Sequence, residues 1–201
     1  MTDTPQRLRS SRERLYEGAL VVGALASVMW IVEIVNSLDG QRLDSDGIIA
    51  RRLSGLPGIL SAPFLHEGFT HLIGNTIPFL ILGLVIALGG ATRVLAVAAI
   101  TALTSGLAAW ALSSSGTDTI GASGVVFGFA TYLIARGFFT RSAVQIAVGV
   151  LVAVLFGGAL LLSVVPQHGI SWEDHAGGAV GGVLAAWLLS ARGVPRVPEN
   201  K

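Results

Sequence analysis

Six long apolar segments, separated by short polar stretches, follow one another along this chain of 201 residues. They cover about residues 18–37, 72–89, 92–112, 123–139, 143–165 and 175–191. An apolar helix of about 17 to 25 residues spans the hydrocarbon core of a bilayer, which is about 30 Å thick. The pattern therefore predicts an all-α polytopic membrane protein with six transmembrane helices.

The first segment has two interpretations, a signal peptide or a retained helix, because four arginines precede it and Ala24-Leu25-Ala26 offers a cleavage site. The apolar run continues through Val28 to Val32, beyond such a cut, which favours a retained helix. Glu33 is expected at the interface or facing other helices, since a carboxylate facing lipid is costly. The chain then divides into a basic N-terminal segment (1–17), a membrane domain (18–191) and a short tail (192–201).

The composition agrees with a membrane protein. Hydrophobic residues make up 52% of the chain and charged residues 12%, whereas a soluble domain carries about 25% charged residues. Glycine accounts for 26 residues, which favours close approach of helices in lipid. The absence of cysteine from the sequence excludes disulfides, thiol catalysis and cysteine metal sites.

The distribution of basic residues predicts the orientation in the membrane. With six helices both termini lie on one side, which holds ten basic residues, namely Arg7, Arg9, Arg12, Arg14, Arg93, Arg136, Arg141, Arg192, Arg196 and Lys201. The other side holds only Arg42, Arg51 and Arg52. Both termini are therefore expected in the cytoplasm, and the second, fourth and sixth helices are expected to begin at the outer face.

Polar groups open those same three helices. The second begins near His66, His71 and Asn75, the fourth at Ser123 and the sixth at His175. Hydropathy and charge alone thus predict that these side chains lie at a similar depth in the outer leaflet.

The histidines before and within the second helix invite a zinc interpretation, because His66-Glu67 resembles the start of the metalloprotease signature His-Glu-x-x-His. Here the second histidine, His71, comes one residue late, so the two rings would diverge by roughly 140° on a helix. We therefore expect no metal. His66 either caps or packs a loop, whereas His71 and Asn75, four residues apart, share a helix face and can act as a pair of donors.

Ser123 lies between Gly121 and Gly124, after a short polar loop. Serines in membrane helices usually bond a carbonyl of the preceding turn, and Ser105 is expected to do so. At a helix N-terminus, however, Ser123 would have free backbone N–H groups beside it, which stabilise developing negative charge. The position therefore favours a nucleophile.

Glycines predict a contact between the fourth and sixth helices. Each helix has two glycines four residues apart, Gly124 and Gly128 on the fourth and Gly178 and Gly182 on the sixth. Such small-residue faces pack closely in membranes. Their contact would bring the His175 ring to the Ser123 hydroxyl; the alternative is that His175 is a buried histidine with a structural hydrogen bond.

Three charged or titratable residues before His175 receive no site role. His168 is interpreted as an ordinary solvated residue. Glu173 and Asp174 are interpreted as solvated loop charges, because adjacent helical positions point about 100° apart and a triad through Asp174 would need it on the histidine's face.

The combined pattern resembles the rhomboid intramembrane serine proteases of the six-helix bacterial type. It consists of His66-x4-His71-x3-Asn75, Gly121-Ala-Ser123-Gly124 and His175-x2-Gly178-x3-Gly182, in that order on the second, fourth and sixth helices. It spans about residues 60 to 190, nearly the whole membrane domain. The resemblance implies a rhomboid-like bundle in a bacterial plasma membrane.

The resemblance also implies roles. Ser123 would be the nucleophile and His175 its general base, without an acidic third member, and His71, Asn75 and the backbone N–H groups of Ala122 and Ser123 would form the oxyanion hole. The first loop (about 38–65) would be partly embedded in the membrane, and the fifth helix would act as a lateral gate. Transmembrane proteins would be the substrates, with no cofactor, metal or nucleic acid.

Two departures from the family pattern stand out. Members often carry a Trp-Arg pair in the first loop, and this chain has none there, which puts the loop's stability or placement in doubt. Many members have tyrosine where this chain has Phe127; a phenyl ring can still stack on His175 but lacks the phenolic hydrogen bond.

The rival interpretation is a catalytically silent rhomboid-like protein that binds clients; a solute transporter is less favoured because no repeat or charged pathway is evident.

Overall fold

The computed structural model describes residues 10–163, 165–167 and 169–190, and it contains a long helix at each of the six predicted segments. These helices are α1 (Ser11–Leu38), α2 (Phe69–Ala87), α3 (Ala91–Leu112), α4 (Ser123–Thr140), α5 (Ala143–Ser163) and α6 (Trp172–Ser190). The prediction of an all-α polytopic membrane bundle is thereby confirmed. His168, residues 1–9 and the predicted tail at 192–201 lie outside the described residues.

The start of α1 differs most from its prediction, because the helix begins at Ser11 instead of residue 18. Ser10 caps it: its hydroxyl accepts a hydrogen bond from the Glu13 N–H at 3.1 Å, and the Glu13 carboxylate accepts one from the Ser10 N–H at 2.8 Å. This reciprocal pair is a capping box, which stabilises a helix start before the apolar run. Further along α1, Glu33 is fully buried among the helices, as the cost of facing lipid predicts.

Five of the long helices, α1 to α5, have the length and hydropathy of a membrane span. The sixth, α6, differs because its first turn contains Glu173 and Asp174 and its middle is rich in glycine. Its buried residues are mostly glycine and alanine, so its low hydropathy goes with a position packed against α3 and α4. The low hydropathy of α6 therefore reflects its position between other helices.

The core lies around α4, which packs against α2, α3, α5 and α6. Within its most apolar stretch 56% of residues are buried, against 11% in α5. Phe129 and Tyr132 of α4 are completely buried, and Phe129 stacks on Phe79 of α2 with ring centroids 5.3 Å apart. The helix that begins at Ser123 is therefore the central element of the bundle.

The first loop is more structured than its sequence indicated. It contains three 3-10 turns, at Arg42–Asp46, Leu53–Gly55 and Ala62–Phe64. It also contains a four-residue α-helix at Gly58–Ser61. Strand β1 (Ile48–Ile49) pairs antiparallel with strand β2 (Asp118–Thr119), with Ile48 opposite Thr119. This pairing ties the first loop to the segment that leads into α4.

The loop is also attached to the C-terminal end of α3, although the Trp-Arg pair common in the family is missing. Trp110 of α3 donates from Nε1 to the Arg52 carbonyl at 2.8 Å, and its own carbonyl accepts from the Arg51 N–H at 2.9 Å. The Arg51 guanidinium donates to the Leu112 carbonyl at 3.4 Å. A tryptophan from the helix and two arginines from the loop thus anchor this loop.

Candidate active site

The nucleophile candidate, Ser123, is the first residue of α4, as predicted. The chain enters the helix through Gly121, whose φ of +119° is one that side chains rarely adopt. The Gly121 N–H donates to the Ala62 carbonyl of the first loop at 2.8 Å, and Ala122 is the N-cap residue. The N–H groups of the first helical turn have no partner within the helix, which makes this end a site for negative charge.

His71 and Asn75 of α2 lie against this turn and, as their spacing predicted, share one helix face. A Cβ atom placed on Gly121 would be 2.9 Å from His71 Nε2 and 3.7 Å from Asn75 Nδ2, so a side chain here would push the His71 ring away. The Glu67 N–H donates to His71 Nδ1 at 3.3 Å. Because Nδ1 accepts, the proton of a neutral His71 ring is on Nε2, which can donate toward the Ser123 turn. The Asn75 amide donates to the His71 carbonyl at 3.2 Å.

His66 packs beneath His71. It is completely buried, and its ring meets the His71 ring edge-on with centroids 5.1 Å apart. Burial, with His71 nearby, lowers the pKa of His66 to about 4, so the ring is neutral at pH 7. No group of three metal-ligating side chains occurs in the described ranges. Of the two roles considered for His66, the structure supports packing.

The predicted contact of α4 with α6 is present and is made by backbone. A Cβ on Gly178 would overlap the Gly124 carbonyl, and one on Gly182 would overlap the Gly128 carbonyl. The Thr131 hydroxyl of α4 also donates to the Ala179 carbonyl of α6 at 2.9 Å. We call this contact the α4–α6 seam.

A second glycine face of α6 was missed by the sequence reasoning. A Cβ on Gly177 would lie 2.6 Å from the Thr104 carbonyl oxygen of α3, and one on Gly181 would lie 3.1 Å from the Thr101 Cα. The signal was present, because Gly177 and Gly181 are also four residues apart. α6 is therefore wedged between α3 and α4 by two adjacent small-residue faces.

His175 is held at the start of the α4–α6 seam by an aromatic ring and a carbonyl. Its ring stacks on Phe127 with centroids 4.2 Å apart and planes 6° apart. Phe127 is one turn after Ser123, so both side chains share a face of α4. Nδ1 lies 3.0 Å from the carbonyl oxygen of Ser163, the last residue of α5.

The Ser163 carbonyl determines the tautomer of His175. A carbonyl oxygen only accepts, so Nδ1 must carry the proton and Nε2 of the neutral ring keeps its lone pair. The acceptor nitrogen is the one a general base needs. No hydrogen bond joins the Ser123 hydroxyl and the His175 ring within the described residues.

Asp174 corrects the sequence interpretation, because it is buried and only 5% exposed. α6 begins at Trp172, and the Ser171 hydroxyl accepts from the Asp174 N–H at 3.3 Å, so Asp174 belongs to the first helical turn. Its carboxylate oxygens lie 2.5 and 2.7 Å from the position that a Cβ of Gly124 would take, and the hydroxyls of Ser105 and Ser123 are among the polar groups beside it. Adjacent Glu173 is partly exposed.

The same end of the bundle contains a polar cavity of about 500 Å³. Its walls include His71 of α2, the segment between α3 and α4, and the segment between α5 and α6. The cavity reaches His71 in the first turn of α2, Ile120 three residues before Ser123, and the first residues of α6, Trp172 and Glu173. That the polar groups of these three helices share one layer of the membrane stays a prediction.

Comparison with known proteins adds an independent finding. A family model described as the Rhomboid domain matches residues 54–192. An uncharacterized protein of Mycobacterium tuberculosis (strain ATCC 25618 / H37Rv) is 39% identical over 206 residues, which cover 98% of this chain and 83% of that protein. An uncharacterized protein of Mycobacterium leprae (strain TN) is 37% identical over 206 residues, with 98% and 79% covered. The matched range contains all of α2 to α6.

Proposed function

The chain belongs to the rhomboid family, and on that premise we propose that it is an intramembrane serine endopeptidase that cleaves transmembrane segments of single-pass membrane proteins. Ser123 is the nucleophile and His175 the general base. The observation that carries the proposal is the α4–α6 seam, in which Gly178 lies on the Gly124 carbonyl. Glycine contact at this point holds the helix starts that carry Ser123 and His175 beside each other, at the polar cavity.

The first chemical step is acylation. His175 Nε2 takes the proton of the Ser123 hydroxyl while the oxygen attacks a peptide carbonyl carbon of the substrate. The tetrahedral intermediate collapses when the protonated His175 gives that proton to the departing amine. A general base of this kind contributes roughly 10²–10⁴ in rate.

The second step is deacylation by water. His175 Nε2 takes a proton from a water molecule while the water oxygen attacks the acyl carbon. The protonated His175 then returns that proton to the Ser123 oxygen as the bond to the acyl carbon breaks, which releases the new carboxyl end and restores the Ser123 hydroxyl. The polar cavity of about 500 Å³ supports this step because it lies beside the starts of α4 and α6.

The negative charge on the carbonyl oxygen is met by donors on the α2 side of Ser123. His71 Nε2 and Asn75 are next to Gly121, and the backbone N–H groups of Ala122 and Ser123 lie at the helix start. Each donor of an oxyanion hole contributes about 10²–10³ in rate. The donors and the base thus approach Ser123 from different helices.

The substrate enters beside α5, which is the most exposed of the membrane spans. Because a helical peptide keeps its carbonyls bonded, the substrate must unwind locally, and segments with small residues, glycine or proline are favoured. Both termini of the protease lie in the cytoplasm of a bacterial cell, as the basic residues predict, so cleavage occurs near the outer face of the plasma membrane.

The test is a cleavage assay in liposomes with a panel of single-pass substrates, combined with labelling by a serine-directed fluorophosphonate. We expect wild-type protein to cleave and to be labelled, and Ser123→Ala and His175→Ala to do neither. A folded wild-type protein that is neither labelled nor active on any substrate would favour the client-binding interpretation. Zinc chelation should leave the activity unchanged.

A further inference from the structure

The end of the bundle opposite to Ser123 contains a cavity of about 170 Å³ in the groove between α2 and α5, which both pack on α4. We call it the basal cavity. Its polar wall consists of Arg136 of α4 and Gln145 of α5, and its other lining residues are aliphatic or glycine. Arg136 lies about 20 Å from Ser123 along the axis of α4, at about 1.5 Å per residue, so the proposed mechanism does not use this cavity.

The positive charge of Arg136 has no acidic partner. Its Nε is buried without a hydrogen-bond partner, and its guanidinium carbon lies 5.8 Å from the centroid of the Tyr132 ring. Among the described residues no carboxylate lines the basal cavity, and Arg136 forms no ion pair. Because a cation within a membrane helix normally pairs with another group, the basal cavity is a place for an anion from outside the chain.

A second guanidinium, that of Arg93 near the start of α3, contacts the same tyrosine. Its Nη1 donates to the Tyr132 hydroxyl at 3.3 Å. The Arg93 side chain also crosses Gly89 of the cavity wall, because a Cβ on Gly89 would lie 2.8 Å from Arg93 Nε. Tyr132 is completely buried, and it is neutral at pH 7 at its ordinary pKa of about 10. Two positive charges thus meet at one uncharged side chain beside the basal cavity.

The first turn of α5 adds an independent feature that favours an anion. α5 begins at Ala143, and the next two residues, Val144 and Gln145, line the basal cavity. The backbone N–H groups of a first helical turn have no partner within the helix and favour negative charge. Arginine binds phosphate through two parallel N–H donors. A phosphate group, whose oxygens can accept from several directions, therefore fits this donor set.

The aliphatic rim of the basal cavity favours a phospholipid over a free phosphate ion. Leu88 at the end of α2 and Val144 of α5 are 58% and 73% exposed, and between membrane helices such side chains face acyl chains. A zwitterionic headgroup would bring its own cation toward two guanidinium groups, which favours an anionic lipid.

We propose that the basal cavity binds the phosphate of an anionic phospholipid through Arg136 and Arg93, with the acyl chains in the groove between α2 and α5. Basic pockets between transmembrane helices on the cytoplasmic side bind headgroups of this kind. The basic residues of the chain predict that this end faces the cytoplasm. The inference does not depend on the proposed protease function.

The experiment measures binding of phosphatidylglycerol and phosphatidylcholine to the full chain in detergent micelles, by native mass spectrometry over a range of lipid concentrations. We expect wild type to bind phosphatidylglycerol at least about 10-fold more tightly, as for one charge-assisted contact. Arg136→Gln should lose this preference. Arg141→Gln is the matched control, because it makes the same charge change at an exposed arginine at the end of α4 that does not line the cavity; it should keep the preference.

Equal binding of the two lipids by wild type, or an unchanged preference in Arg136→Gln, overturns the inference. An equal loss in Arg136→Gln and Arg141→Gln also overturns it, because lipid would then be attracted to a basic surface in general. If Arg136→Gln does not fold, Arg93→Gln decides: binding of phosphatidylglycerol should weaken about 5-fold, and no change overturns the inference. Excess inorganic phosphate should leave the lipid bound; displacement would assign the basal cavity to a free anion and overturn the lipid as its occupant.

Discussion

α5 and α6 both pack against α4, but they do so in different ways. Eight residues of α6 are buried, against two of α5. α6 is locked by glycine faces against two helices, whereas α5 approaches α4 closely only near its start, where a Cβ on Gly137 would lie 2.6 Å from the Ile146 nitrogen. Around Gly157 and Gly158 no atom lies within 4 Å of an added Cβ.

The difference separates a fixed part of the site from an adjustable one. The seam allows no rotation or sliding of α6 without backbone overlap, so the relative placement of Ser123 and His175 is set by packing. The end of α5 has few neighbours, and it is this end whose Ser163 carbonyl orients His175. We therefore expect movement of α5 to change substrate access and the orientation of the base together.

The largest effect should come from adding one methyl group to the seam. Gly178→Ala places a Cβ on the Gly124 carbonyl, and because both partners are backbone, the helices must separate. Overpacking of this kind costs about 1–3 kcal/mol of stability, and a displacement of about 1 Å at the site can cost about 100-fold in rate. Cleavage in liposomes and thermal unfolding in detergent measure the two effects.

Gly157→Ala is the matched control on α5, where an added Cβ meets nothing within 4 Å. Alanine is the better helix former, so this variant should be as stable as wild type or slightly more stable, and active. If Gly157→Ala lost as much activity and stability as Gly178→Ala, the difference in packing between α5 and α6 would not be the cause.

A smaller effect, on the free energy of unfolding alone, should come from lowering the pH, because His66 is tightly buried away from the α4–α6 seam. Burial, with His71 nearby, lowers the pKa of His66 to about 4, whereas the unfolded chain has a value of about 6.5. Between these values only the unfolded state binds the proton, so stability falls as the pH is lowered through this range. From pH 7 to pH 5 the loss should be about 2 kcal/mol, at about 1.36 kcal/mol per pKa unit.

The measurement is the unfolding midpoint against pH for wild type and His66→Phe. The phenyl ring fills the site and does not titrate, so the variant should lack this part of the pH dependence. Parallel curves for the two proteins would show that His66 does not cause it.

The smallest effect should come from removing the aromatic ring of α4 that stacks on His175. Phe127→Leu removes the ring that stacks on His175 at 4.2 Å. Aromatic pairs contribute about 0.5–1.5 kcal/mol, so kcat should fall about 2- to 10-fold. Phe127→Tyr keeps the ring and should stay close to wild type; a loss in Phe127→Tyr as large as in Phe127→Leu would argue against stacking as the cause.

Much of the architecture was predictable, because hydropathy is a local property. Each apolar segment marked a helix, and the N-terminal end of α4 fell at Ser123 as expected. Spacing also sufficed for contacts along one helix face, such as His71 with Asn75 and Gly178 with Gly182. The two-stranded pairing of Ile48–Ile49 with Asp118–Thr119 could not be predicted, because two-residue strands have no periodicity.

Asp174 shows why the rest was not predictable. The sequence placed it one residue before His175 and, by helical geometry, on another face; both statements hold in the structure. Whether that face meets water or protein depends on α3 and on the space left by Gly124, which are distant in sequence. A carboxylate next to a predicted helix start was interpreted as solvated for want of that information.

The sequence by itself determined the helices, their order, the places of Ser123 and His175 in the first turns of α4 and α6, and the glycine face that joins α4 to α6, since all of these follow from periodicity and hydropathy along single segments. Only the tertiary structure decided the partners that cross between segments. These are the Ser163 carbonyl on His175, the second glycine face against α3 and the burial of Asp174. Such contacts depend on the depth and rotation of each helix relative to the others, which packing of the whole bundle sets.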